Sequence, residues 1–164
     1  MKLTLLAALT AIALPAAVLA QDATITVADG YARSANPKAG AAFMTLHNTG
    51  TADCTLTAVT TDLAERAELH THKDAGDGVM KMGKIEGGIL VPAGAEHTLA
   101  RGSDHVMLMG LKAPLENGQE VALTLDFGAC GTVETVMPVD NDRKPEAAAP
   151  MHHGNHAMPA PATN

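Results

Sequence analysis

The amino-acid sequence predicts an all-β domain, either a sandwich or a Greek-key barrel. Between residues 21 and 140 the chain divides into about eight to ten short stretches that alternate or are rich in β-branched residues. Gly, Pro, Asn and Asp separate these stretches at regular intervals. No long stretch has the 3.6-residue apolar period of a helix. Short strands with regular turns are typical of a single all-β domain.

The first half of the domain begins with a strand and a turn signal. Residues 23–28 alternate as a half-buried strand does. Asp29-Gly30 is a turn signal, and a second extended piece starts at Tyr31. The sequence CTLTAVTT alternates and is rich in Thr and Val, which favour strands. The strands predicted here are residues 23–28, the piece from Tyr31, residues 41–47 and residues 54–61.

The second half continues the pattern and opens with a hairpin. Residues 73–78 are polar and contain Gly, which predicts a hairpin loop. Residues 86–94 contain Gly and Pro and are predicted to be irregular. In the stretch 120–127 every second residue is apolar, which predicts a strand with one buried face. The strands predicted here are residues 66–72, 79–85, 96–100, 105–111, 120–127 and 132–139.

Residues 1–20 have the features of a secretory signal peptide. A short positive start precedes an apolar run, and Val18-Leu19-Ala20 offers small residues for cleavage before Gln21. The run is short, contains Pro15 and is not followed by basic residues, which argues against a membrane anchor. We therefore expect a periplasmic mature chain. It is not expected to be a lipoprotein, because no Cys follows the signal.

Charge and cysteine usage agree with export. The formal net charge is −7 and Lys and Arg are not clustered, which argues against nucleic acid and anionic membrane surfaces as partners. Cys54 and Cys130 are the two cysteines of the chain. In an oxidising compartment we expect them to form a disulfide.

The last 24 residues differ in composition from the domain. Residues 141–164 are dominated by Pro, Ala and Asn, without apolar periodicity, which predicts a disordered tail. A His/Met segment within it is expected to act as a flexible metal chelator, and imidazole-rich sites also accept Cu(II). Its candidate ligands are Met151, His152, His153, His156 and Met158.

His and Met residues also concentrate between residues 68 and 109 of the domain. Side chains of a strand alternate between its two faces. The resulting same-face groups are Glu68, His70 and His72; Met80 and Met82; and His105, Met107 and Met109. One candidate site can therefore draw on several strands, and its predicted metal ligands are His70, Met82, His105 and Met107.

Two imidazoles and two thioethers form a neutral, soft ligand set that suits Cu(I). Zinc normally takes Cys, His or carboxylate ligands and rarely Met. Thioethers need no deprotonation and do not form disulfides, which suits an oxidising compartment. A single His or Met on a strand is more often ordinary packing, and this is how we interpret His47 and His97. The combination of the four ligands carries the copper hypothesis.

The order His70, Met82, His105-x-Met107 resembles the signature of the periplasmic copper chaperones called PCu(A)C. The phrases ELH, GVMKM, IEGG, PAG and HVMLMGLK are similar to those of that family, and the resemblance runs from about Tyr31 to Phe127. It implies a cupredoxin-like β-sandwich that holds Cu(I) through these four residues. It also implies delivery of copper to the copper centre of cytochrome c oxidase, alone or with a Sco-type partner.

Two features depart from the family's usual pattern. Thr71 stands where Met often follows the first His, which weakens the case for an additional thioether ligand. The pair Cys54 and Cys130 is not part of the general signature. A structural disulfide there would leave the metal site unchanged.

The sequence is also compatible with other functions. We find no arrangement of residues typical of an enzyme. A protein that buffers copper for metal resistance would have the same acidic charge and His/Met tail as a copper chaperone. An electron-transfer cupredoxin needs a Cys thiolate ligand, and neither cysteine lies between residues 70 and 109. A structural β-domain with incidental Met would bind no Cu(I).

Overall fold

The computed structural model describes residues 25–76 and 79–144. Within them the chain forms eleven β-strands and one short 3₁₀ helix, Gly128–Cys130, which confirms the predicted all-β class. The predicted signal peptide and the His/Met segment of the tail lie outside the described residues. No helix in the described part is long and apolar enough to cross a membrane. The strands are β1 Ile25–Asn36, β2 Ala39–Asn48, β3 Cys54–Leu56, β4 Ala58–Thr60, β5 Ala64–Asp74, β6 Met80–Lys84, β7 Ile89–Val91, β8 Glu96–Leu99, β9 His105–Leu111, β10 Glu120–Asp126 and β11 Thr132–Pro138.

The strands pair in antiparallel fashion into one large and two small sheets. The large sheet has the order β1-β2-β9-β5-β6, and β8 also pairs with β2. A second sheet has the order β11-β10-β4, and β3 pairs with β7. Because β9 follows β8 in the chain but lies between β2 and β5, long-range pairing positions the strand that carries His105 and Met107.

The core lies between the sheets and is built from aliphatic side chains and Met. Val106 and Leu108 of β9 are fully buried, as are Val121 and Leu125 of β10. Alternation along β9 therefore places one face in the core and leaves the other face for His105, Met107 and Met109. The candidate ligand strand is fixed by its own buried face.

A disulfide joins the start of β3 to the 3₁₀ helix. The sulfur atoms of Cys54 and Cys130 are 2.03 Å apart and their Cα atoms 5.9 Å apart, which confirms the predicted pairing. The bridge lies on β3 and the 3₁₀ helix, whereas the candidate ligands lie on β5, β6 and β9.

Three local predictions were wrong, each for a physical reason. Asp29-Gly30 does not end a strand but forms a bulge within β1, where the register with β2 shifts and Asp29 has a φ of 52°. Residues 54–61 form two strands, because β3 pairs with β7 and β4 pairs with β10. Residues 89–91 form β7, whose buried Ile89 and Val91 flank exposed Leu90; the neighbouring Gly and Pro concealed this alternation.

Candidate metal site

Strand register brings the predicted ligands onto one face of the large sheet. His70 of β5 is the cross-strand partner of His105 of β9. On its other side, β5 pairs with β6, and Met82 lies opposite His72. Met107 lies between Glu68 of β5 and Ala41 of β2. The same-face groups expected from alternation are therefore the ones that the register shows.

The imidazole rings of three His residues lie close together at the start of β9. The ring centres of His70 and His105 are 6.0 Å apart, and those of His72 and His105 are 5.2 Å apart. The ring of Phe43, on β2, lies 6.1 Å from that of His105. Phe43 thus forms an apolar wall beside the candidate ligands, which limits their contact with water.

A cavity of about 330 Å³ opens beside these rings. Three of the four predicted ligands line it, whereas His70 lies against Glu68. Its lining includes the two cationic residues Arg33 and Arg101. Other lining residues are His72, Met82, His105, Met107, Ala41 and Phe43.

His105 is almost fully buried and is held in one orientation by the backbone. Its Nδ1 lies 2.9 Å from the carbonyl oxygen of Ser103. Because a carbonyl only accepts, Nδ1 carries the hydrogen and the neutral ring keeps a lone pair at Nε2. Burial lowers the pKa of His105 below its usual 6.5, against the opposing effect of the Ser103 carbonyl. A neutral ring with an available lone pair is the form that binds a metal.

His70 is held by a side chain instead. Its Nε2 lies 3.2 Å from Oε2 of Glu68, while its Nδ1 is buried and has no hydrogen-bond partner. The hydrogen bond to His70 is the main cause of a lowered pKa for the Glu68 carboxyl. An unpartnered buried ring nitrogen is costly unless a ligand satisfies it. This atom therefore fits a metal ligand.

The turn before β9 fixes the position of His105. His97 of β8 contacts Asp104 at 3.0 Å between Nε2 and Oδ2. His72 lies with its Nδ1 3.4 Å from the carbonyl oxygen of Ser103, the same acceptor that His105 uses. His97 and His47 each pair with an acidic side chain, in agreement with their interpretation as structural residues.

The four candidate ligands differ in exposure. His105 is 3% exposed and the side chain of His70 is 15% exposed, whereas Met82 is 44% exposed. Two oriented imidazoles and two thioethers are a neutral, soft donor set, which fits Cu(I). Among residues 25–76 and 79–144, no three His, Cys, Asp or Glu side chains are grouped to hold a metal ion without Met.

Sequence reasoning did not identify several residues that shape the site. Alternation placed Glu68 and His72 on the ligand face but did not predict the contact of Glu68 with His70. The Ser103 carbonyl and the Phe43 wall depend on the turn conformation and on long-range pairing, which have no local sequence signal. The tail candidates Met151, His152, His153, His156 and Met158 lie outside the described residues.

Known proteins with similar sequences share this domain. The family described as "Putative lipoprotein LpqE-like" matches residues 25–139. A relative from Leifsonia xyli subsp. xyli (strain CTCB07), named "Putative lipoprotein Lxx21020", is 35% identical over 115 residues, which cover 70% of this chain and 69% of that protein.

Solved structures extend the similarity to copper proteins. The apo PCuAC domain from PmoF1 is 25% identical, with a TM-score of 0.59, over 72% of this chain and 94% of that domain. Apo-DR1885 from Deinococcus radiodurans is 34% identical, with a TM-score of 0.56, over 87% of this chain and 97% of that one. The CuI form of DR1885 is 33% identical, with a TM-score of 0.55, over 71% of this chain and 79% of that one. The chain therefore belongs to the LpqE-like family and has the PCu(A)C-type domain that its sequence resembles.

Proposed function

We propose that this chain is a copper chaperone that binds Cu(I) through His70, Met82, His105 and Met107. The observation that carries the proposal is the register of β9, β5 and β6, which places these side chains on one face of the sheet. The similarity to DR1885, solved with CuI bound, supports the choice of metal. Copper is the cargo of such a protein, so no catalytic residue is required.

Each ligand has a distinct part in the proposed site. His105 offers Nε2, since its Nδ1 donates to Ser103. Met107 and Met82 add thioethers from two sides of β5, which lies between β9 and β6. Buried His105 and Phe43 keep water from the inner side. Exclusion of water disfavours oxidation to Cu(II), which prefers harder and more numerous ligands.

A Cu(I) titration against a competing chelator tests the ligand set. The mature chain is compared with a Met82→Ala/Met107→Ala variant and with a control that changes Met80→Ala/Met109→Ala. The control removes two thioethers from the same strands and the same sheet face. Mutation of a supporting residue outside the ligand set typically lowers metal affinity by up to about 100-fold. We expect the Met82→Ala/Met107→Ala variant to lose more Cu(I) affinity than this. Equal affinities of the two variants would refute the assignment.

We further propose that the copper is delivered to the copper centre of cytochrome c oxidase, directly or with a Sco-type partner. Support comes from the sequence resemblance to PCu(A)C chaperones. Cu(I)-loaded protein should transfer copper to the isolated oxidase copper domain or to a Sco-type protein. Deletion of the protein should lower cytochrome c oxidase activity in cells grown at low copper. A deletion that causes copper sensitivity with normal oxidase activity would instead favour the buffering function.

The tail is proposed to capture Cu(II) through Met151, His152, His153, His156 and Met158. The described chain leads towards the cavity: the carbonyl oxygen of Arg143 accepts a hydrogen bond of 3.0 Å from Arg101, which lines the cavity. Arg143 also lies 4.4 Å over the ring of Tyr31. From Lys144 to Met151, seven residues can span at most about 25 Å.

Removal of residues 145–164 tests the tail. We expect Cu(II) binding to be lost and Cu(I) binding by the domain to persist, because the two ions would use different ligand sets. Isothermal titration with each ion measures both. An unchanged Cu(II) stoichiometry would contradict this part of the proposal.

We also propose that the chain is exported to the periplasm by residues 1–20. The disulfide between Cys54 and Cys130 supports an oxidising compartment. Cell fractionation and N-terminal sequencing test the proposal, with Gln21 as the expected first residue. A mature chain that begins at Met1 in the cytoplasm would contradict it.

A further inference from the structure

Glu68 and His70 are near each other on β5, and their side chains are also in direct contact. The two residues are two positions apart on β5, so their side chains share a face. Oε2 of Glu68 lies 3.2 Å from Nε2 of His70, and the two side chains are only 23% and 15% exposed. Oε1 of the same carboxylate lies 3.6 Å from Arg66. The carboxylate is thus held between the ring and a guanidinium.

This contact determines which nitrogen of His70 carries the hydrogen. A carboxylate can only accept hydrogen bonds, so the contact requires a hydrogen on Nε2. In the neutral ring, Nδ1 then has the lone pair, and Nδ1 is the buried atom without a hydrogen-bond partner. Across the strand pair the arrangement is reversed, because His105 donates from Nδ1 to Ser103. The two facing imidazoles have opposite tautomers.

The position of Glu68 also places a negative charge beside the candidate ligands. Its cross-strand partner on β9 is Met107, so the carboxylate lies next to two of the four residues. The ligand set itself is neutral, and a bound Cu(I) adds one positive charge. A carboxylate that accepts from a ligating imidazole raises the basicity of that ring and fixes its orientation.

We propose that Glu68 is a positioning residue that makes His70 bind Cu(I) through Nδ1, while His105 binds through Nε2. The inference rests on the proposed function for the role of copper. The tautomer of His70 is a property of the metal-free protein. The tautomer of His70 and the binding of Cu(I) can therefore be tested separately.

Long-range ¹H–¹⁵N NMR of the imidazole rings tests the inference in the mature chain, first without copper and then with Cu(I). In the metal-free wild type we expect His70 to carry its hydrogen on Nε2 and His105 on Nδ1. Addition of Cu(I) should shift the Nδ1 resonance of His70 and the Nε2 resonance of His105. A competing chelator gives the Cu(I) affinity of the same samples.

Three variants separate positioning from general stability. Glu68→Leu removes the acceptor, so His70 should lose its tautomer preference and Cu(I) affinity should fall about 10–100-fold. Glu68→Gln keeps an acceptor oxygen and should retain the tautomer with a smaller loss of affinity. Glu96→Leu is the control, because Glu96 contacts His47 at 3.3 Å in another carboxylate–imidazole pair, which lies between β8 and β2 and is more exposed. The Glu96→Leu change should leave both the tautomer of His70 and the Cu(I) affinity unchanged.

Two results would overturn the inference. One is a metal-free wild type in which His70 carries its hydrogen on Nδ1. The other is a folded Glu68→Leu variant with the wild-type tautomer and the wild-type affinity. Failure of the proposed function would be seen differently, as Cu(I) binding that survives the Met82→Ala/Met107→Ala change.

Discussion

At the scale of single residues, the three His side chains of the site have different surroundings. His105 is buried and bound to a backbone carbonyl, and His70 is bound to a carboxylate. His72 has the longer contact, 3.4 Å to Ser103, although its ring lies nearer to His105 than the ring of His70 does. Proximity alone therefore does not decide which rings are ligands. We propose that the orientation of the ring and an unsatisfied nitrogen select His70 and His105.

This difference leads to a prediction for His72. We expect His72→Ala to weaken Cu(I) binding only a few-fold, through lost packing against His105, because its nitrogen at 3.4 Å is only loosely held. His70→Ala should lower Cu(I) affinity by more than about 100-fold, because it removes a proposed ligand rather than a supporting residue. Competition titration of both variants measures the ratio. Equal losses would add His72 to the ligand set.

At the scale of elements, β9 serves the core and the site at once. Leu108 is fully buried in the core, while Met107, next to it in the chain, lines the cavity. The period of two separates these functions within one strand. Stability of the core and geometry of the site are therefore coupled through β9.

Truncation of Leu108 tests the contribution of β9 to stability. We expect Leu108→Ala to lower the free energy of unfolding by about 2–5 kcal/mol, because it leaves a cavity in the core. Leu90→Ala on β7 is the control, since Leu90 is 53% exposed and surface changes usually stay within about 0.5 kcal/mol. Urea denaturation of the metal-free protein measures both. Similar effects of the two changes would argue against this description of the core.

Alternation also explains how much of the fold and site could be predicted from sequence. The faces of β5, β6 and β9 follow from a period of two, so the residues that share a face within each strand were predictable, whereas the pairing that brings His70, Met82, His105 and Met107 together is long-range. The bulge at Asp29 was not, because the same dipeptide favours a turn and a bulge. The division of residues 54–61 depends on which sheet each half meets. That choice is set by distant strands and leaves no local signal.

At the scale of the whole molecule, the disulfide ties together parts of the chain that are 76 residues apart. It lies at β3, whose partner β7 is outside the large sheet. A covalent link across so long a loop restricts the unfolded chain more than the folded one. We therefore expect the disulfide to affect the stability of the fold rather than the binding of copper.

Replacement of both cysteines by alanine tests this separation. For a loop of this length we expect a loss of about 4 kcal/mol in the free energy of unfolding, a large part of the stability of a typical domain. Cu(I) stoichiometry below the unfolding transition should be unchanged. Guanidinium denaturation and Cu(I) titration give the two quantities. Loss of Cu(I) binding in a variant that is still folded would show that the disulfide supports the site directly.

The exposure of Met82 has a consequence for how the cargo would leave. Met82 lies on β6, the last strand in the order of the large sheet, and is the most exposed of the four candidate ligands. An incoming thiolate or thioether from an acceptor could approach from this side and displace Met82 first. The two imidazoles would meanwhile keep the ion bound. Release would then proceed by associative exchange, with the ion never free in water, and the edge of the sheet would set the direction of the handover.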